Sequence, residues 1–140
     1  MMKTLLWVSC LTVAAAATSC TKKNYYTTPS TTIIAQADST SWKVDQSGDA
    51  WTISISMPEI TNSVNLTDNV SVAISYNYNT SSSSDIQFEA IPELYNGYSY
   101  SYVYGVGYLS IYAQSPSGTV PAATPGAVWV KVVLTPSNQE

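Results

Sequence analysis

Apolar and polar residues alternate with a period of two through most of this chain, and that spacing limits it to strands with one buried face. In residues 50–57, Trp51, Ile53, Ile55 and Met57 face one way and Thr52, Ser54 and Ser56 the other, until Pro58 stops the run. Residues 69–77 repeat the pattern, with Val70, Val72, Ile74 and Tyr76 opposite Ser71, Ala73 and Ser75. A Thr- and Ile-rich first strand is expected over residues 31–37, and a short second one over 41–44, with Trp42 and Val44 on one face. In residues 86–91, Ile86, Phe88 and Ala90 alternate up to Pro92. Residues 98–104 and 108–113 read as a hairpin around Gly105-Val106-Gly107, and 115–126 as a long loop broken by Pro116, Pro121 and Pro125. The last strand, 127–134, carries Val128, Val130, Val132 and Leu134 on one face. Trp129 and Val133 make the other face apolar too, as in a central strand. No stretch has a useful helical period.

From residue 31 on, about 110 residues remain, which suits one domain of ordinary size. Short strands at regular spacing with turn residues between them predict an all-β fold. The expected form is a single antiparallel β-sandwich, immunoglobulin-like or a similar Greek key, of about seven strands. Met57-Pro58-Glu59-Ile60 and Ile91-Pro92-Glu93-Leu94 echo one another, but proline at a strand exit is ordinary punctuation.

Composition narrows the chemistry. The chain has no histidine and no arginine, and five lysines against nine carboxylates. Ser-His-Asp and Cys-His systems are excluded as usually built, as are histidine-based metal sites and bidentate arginine clamps on phosphate. A nucleic-acid partner would need a cationic footprint that is missing. The single Gly-x-Gly between two strands is no phosphate loop. A non-catalytic domain without metal or cofactor is therefore expected.

The N-terminus carries an address. Lys3 precedes an apolar run from Leu5 to Ala17, which is broken only by Ser9 and Thr12 and ends at Ala17-Thr18-Ser19-Cys20. A charged start, a short apolar core and small residues at its end make a secretory signal, and the run is shorter than the ~20 residues of a membrane span. The arrangement resembles a bacterial lipoprotein signal, with Ala17 where leucine is usual. That resemblance implies cleavage before Cys20 and acylation of Cys20. Ordinary cleavage after Ala17 would instead leave Cys20 as a free thiol. Cys10 lies in the apolar run and leaves with it. The expected organisation is a signal peptide over 1–19, a lipidated N-terminus and tether over 20–30, and the sandwich over 31–140. The polar segment 21–32 reaches up to ~40 Å when extended.

The layout resembles a group of small lipoproteins of Gram-negative anaerobes that carry one exported β-domain. The elements that carry the likeness are the two Pro-Glu strand exits and the Tyr95-Asn96-Gly97-Tyr98 segment. It implies a lipid-anchored position in the cell envelope, at the outer membrane, and contributes no site residues.

Seven of the eleven tyrosines lie between Tyr95 and Tyr112. Tyr98, Tyr100, Tyr102 and Tyr104 share one face of a strand, with rings ~6.7 Å apart along it. Exposed, such a stripe would stack on sugars or dock a partner; turned inward, it would pack with hydroxyls at the rim. The carboxylates Glu59, Glu89 and Glu93 are the only acid–base material, and nothing in the spacing makes them converge, so solvated surface charge is expected. Asp45-Gln46-Ser47-Gly48-Asp49 is read as a turn, because two aspartates fall short of a calcium loop. Asn65, Asn69 and Asn79 head glycosylation sequons that read as loop composition, and Asp38-Ser39-Thr40 resembles a bacterial O-glycosylation site. The expected function is a membrane-anchored binding or adhesion module for a glycan or an envelope protein, with a structural subunit of an envelope complex as the alternative.

Overall fold

The computed structural model describes residues 29–77 and 82–137. Cys20, the signal segment and most of the tether lie outside the described residues, as does Asn79. Among the described residues nine strands form two antiparallel sheets. The first holds β1 (Thr31–Ala37), β4 (Asn69–Ser75), β5 (Glu89–Ala90) and β9 (Val128–Thr135), in the order β1-β9-β4-β5. The second holds β2 (Lys43–Val44), β3 (Trp51–Met57), β6 (Glu93–Tyr95), β7 (Tyr98–Gly105) and β8 (Gly107–Gln114), in the order β2-β3-β8-β7-β6. The all-β sandwich expected from the alternation is the fold observed. In the second sheet β6, β7 and β8 run as a meander with β3 beside β8, the spatial order of a Greek key.

The alternation determines which face each strand buries. Val128, Val130, Val132 and Leu134 of β9 meet Val70, Val72 and Ile74 of β4 in the core. Opposite them stand Ile53 and Met57 of β3 and Leu109, Ile111 and Ala113 of β8. β9 is central, between β1 and β4, as its two apolar faces required. On its outer face Lys131 holds its Nζ 4.4 Å from the centre of the Phe88 ring.

Three local departures matter. Among the described residues there are nine strands where about seven were expected, and β2, β5 and β6 are pieces of two or three residues. The strand foreseen over 86–91 pairs only at Glu89–Ala90; past it Ile91 turns into the core, and the chain crosses to the other sheet through a cis bond before Pro92. A six-residue helix, α1 (Asn62–Thr67), follows Pro58. Thr61 caps it by accepting from the Val64 N–H, and Ile60 plugs the core beneath. The second strand starts later than expected because residues 39–41 form a 3-10 turn capped by Asp38. Trp42 is buried while Val44 is exposed, so the two do not share a face.

The sandwich has two unlike poles. Thr31, Leu134 and Val70 are in register, and the Gly107 N–H donates to the Ile60 carbonyl, so β1 begins beside α1 and the β7–β8 turn. At the opposite pole Ala37 is in register with Val128, and Ser75 with Trp129. β1 spans the ~23 Å between them.

Candidate functional site

The tyrosine stripe faces inward. Tyr100 is 2% exposed, and Tyr98, Tyr102 and Tyr104 are half-buried against the core. Their register explains it: Tyr100 pairs with Ala113, Tyr102 with Ile111 and Tyr104 with Leu109, all core positions of β8. The Tyr102 hydroxyl donates to the Val70 carbonyl (3.0 Å), linking the two sheets. A ligand stacking along all four rings does not fit this placement, because Tyr100 is buried and the other three pack against the core. The packing alternative does.

At the pole opposite Thr31, two of the four tyrosines line a cavity. Tyr98 and Tyr100 border a space of about 180 Å³ with Tyr76, Tyr95, Asn96 and Gly126. Tyr95 is brought there by a tight turn. Asn96 (φ 46°) and Gly97 (φ 82°) adopt successive left-handed conformations, which closes the β6–β7 hairpin with the twist of its strands. Tyr95 then lies flat on Tyr76, with ring centres 3.7 Å apart and planes at 4°. Tyr76 leans on Tyr100 at 5.3 Å, and Trp42 meets Tyr100 edge-on at 6.2 Å. Tyr95 remains 40% exposed and forms the outer lip.

The long loop after β8 makes the rim. Three aromatic side chains, on or beside the second sheet, hold it by its carbonyls. Trp51 Nε1 donates to Pro121 (3.1 Å), the Tyr98 hydroxyl to Ala123 (2.8 Å) and Trp42 Nε1 to Gly126 (3.1 Å). A loop this long is stable here because its backbone acceptors are met by side chains instead of a ladder.

Behind the pocket the Tyr76 hydroxyl donates to Glu93 Oε1 at 2.6 Å. Burial, and then this bond to Glu93, push the Tyr76 hydroxyl well above the usual tyrosine range; burial does the same to Tyr100 and, less far, Tyr102. These phenols stay protonated donors. Glu93 also raises the neighbouring Glu89 carboxyl from its ordinary value, first through a side-chain hydrogen bond between the two glutamates and then through its charge. Glu89 is exposed, as expected of surface charge, and neither glutamate lines the cup. Glu59 is exposed elsewhere. The result is a neutral aromatic cup with hydroxyl and amide edges, suited to holding a ligand by stacking and hydrogen bonds.

Tyr76 and Tyr95 were not singled out from the sequence. The Asn96-Gly97 pair was the available signal: read as a two-residue hairpin turn, it places Tyr95 across from Tyr98. The Asp45 loop is a turn, as expected. The Asp45 carboxyl accepts from the Ser47 hydroxyl and from the N–H groups of Asp49 and Ala50, and the Ser47 bond chiefly holds it below the usual aspartate range. Among the described residues no group of three or more acidic or cysteine side chains is arranged to hold a metal ion. Comparison with protein-family models, with curated proteins and with solved structures finds no match to this chain.

Proposed function

We propose that this chain is a lipid-anchored cell-envelope protein of a Gram-negative bacterium, attached through Cys20 at the outer membrane, whose sandwich is a non-catalytic binding module for a glycan. The observation that carries the reading is the position of the tyrosine cup at the pole opposite Thr31. A tether that starts at Cys20 enters the domain at Thr31, so the cup faces away from the bilayer, where an envelope or extracellular glycan is met. Stacked tyrosines offer a sugar ring broad contact at low entropic cost, and the neutral lining suits an uncharged ring. The test is a glycan array probed with residues 21–140, in which all core strands are retained. Binding that is lost in Tyr95→Ala is expected, and binding unaffected by that change would overturn the site. Cys20→Ala is expected to abolish metabolic labelling by a fatty acid, and equal labelling of both forms would remove the anchor from the reading.

One observation favours a second reading, a structural subunit of an envelope complex. Among the described residues β1 pairs on one side only, and its seven residues include no charge and no proline, with Ile34 49% exposed. Sheet edges usually carry such protection against pairing. Cross-linking from a cysteine placed at Gln36 in cells distinguishes the readings: a single discrete heavier species supports the subunit, and its absence leaves the binding module.

A further inference from the structure

A second concavity, of about 520 Å³, opens on the outer face of the five-stranded sheet. Its floor comes from β3 and β8, where Thr52 pairs with Tyr112 and Ser54 with Ser110. Gln46 and Ser47, in the loop after β2, make its wall. No lining residue is shared with the tyrosine cup.

The lining chemistry is narrow. Ser47, Ser54, Ser110 and Tyr112 carry the available hydroxyls, the Thr52 hydroxyl is closed off from solvent, Gln46 carries an amide, Val44 is the one aliphatic side chain, and no lining residue is a cation. The one acid, Asp45, already receives the Ser47 hydroxyl at 2.6 Å and the N–H groups of Asp49 and Ala50 at 3.1 and 3.2 Å. Those bonds also fix the wall before any ligand arrives. The Ser54 and Ser110 hydroxyls lie 3.1 Å apart, a pair able to donate and accept together. An anion would meet Asp45 without a compensating positive charge, and an apolar ligand would strip water from hydroxyls without replacing it.

Beyond the cleft the same face of β8 continues to a further tyrosine. Tyr108, 47% exposed, lies across Gly105 so closely that a Cβ there would come within 2.6 Å of its ring. Tyr108 and Tyr112 are on one face of β8, ~13 Å apart.

We infer that this face binds an uncharged oligosaccharide, with Tyr112 and Tyr108 as stacking platforms and Gln46, Ser54 and Ser110 answering its hydroxyls. A volume of this order is usual for small-molecule sites. The inference is independent of the tyrosine cup, and the test separates them. Residues 21–140 are titrated by calorimetry with maltohexaose, cellohexaose, xylohexaose and mannohexaose. At least one is expected to bind. Tyr112→Ala is expected to weaken it about tenfold or more, the loss expected for an aromatic anchor, Tyr112→Phe to keep part of it, and Tyr95→Ala to leave it unchanged. Gln46→Ala, in an exposed loop that cannot upset the core, is expected to weaken it independently of Tyr112. No binding to any of the four, binding that survives both Tyr112→Ala and Gln46→Ala, or binding lost in Tyr95→Ala would each overturn the inference.

Discussion

Thr52 sits on β3 with its Oγ1 closed off from solvent and, among the described residues, without a hydrogen-bond partner. A buried hydroxyl left this way carries an uncompensated desolvation cost, so the near-isosteric Thr52→Val should stabilise the domain by about 1 kcal/mol. That gain reads as a rise of several degrees in Tm; an unchanged or lower melting temperature would show that the hydroxyl is satisfied in solution. Glu89 works on stability through pH. Its carboxyl is raised in the folded state by the hydrogen bond to Glu93 and by the Glu93 charge. A group whose folded value lies above its unfolded one contributes stability below the unfolded value of 4.5, and loses it as pH rises through the folded value. Thermal melts from pH 4 to 7 should therefore fall less steeply for Glu89→Gln than for the parent, with the variant more stable at pH 7. Parallel curves would mean that the pair does not form. Asp38 and Asp45, both held below the usual aspartate value chiefly by hydroxyl bonds, act in the opposite sense and lose their contribution as pH falls through their folded values.

The β6–β7 hairpin shows what a single turn contributes to the cup. Gly97 has φ 82°, and nothing lies within 4 Å of the place a Cβ would take, so Gly97→Ala would bring backbone strain without a clash. The expected loss is about 1 kcal/mol, and Gly97→Asn should lose less because asparagine tolerates the left-handed region. Denaturant titration of the two variants checks this, and an equal loss in both would place the cost elsewhere. The same elements show why part of the fold was legible and part was not. β3, β4 and β9 could be read because each buries a continuous alternating face between sheets. Residues 86–91 could not: Ile86, Phe88 and Ala90 alternate, but Phe88 packs on Lys131 outside the sheet, and only two residues reach the ladder. α1 has no apolar stripe and owes its place to the Thr61 cap after Pro58. The stripe on β7 announced four rings on one face, yet pattern alone could not tell inward from outward. Nor could it bring Tyr76 and Tyr95 together, since their contact depends on a crossing between sheets that leaves no periodic trace.

At the scale of the whole molecule, the two sheets and the rim loop close one pole by side-chain bonds from Trp42, Trp51 and Tyr98 to backbone carbonyls of residues 121–126. Removing one donor, as in Trp42→Phe, should free this loop to open. Hydrogen exchange of residues 119–127 should speed up while β4 and β9 stay protected, whereas unchanged exchange would show that the loop holds itself. The opposite pole admits the chain at Thr31, in an antiparallel ladder of seven residue pairs with β9. Consider a domain held by its tether at Thr31 and by a ligand in the cup. Tension then runs along β1, and the whole β1–β9 ladder is loaded in shear instead of being peeled one bond at a time. Forced rupture of that ladder is a matter of unfolding rate, so the arrangement resists pulling from the cup far better than its modest size suggests. A handle attached to Gln36, near the end of β1, would unzip the same bonds in sequence and at lower force.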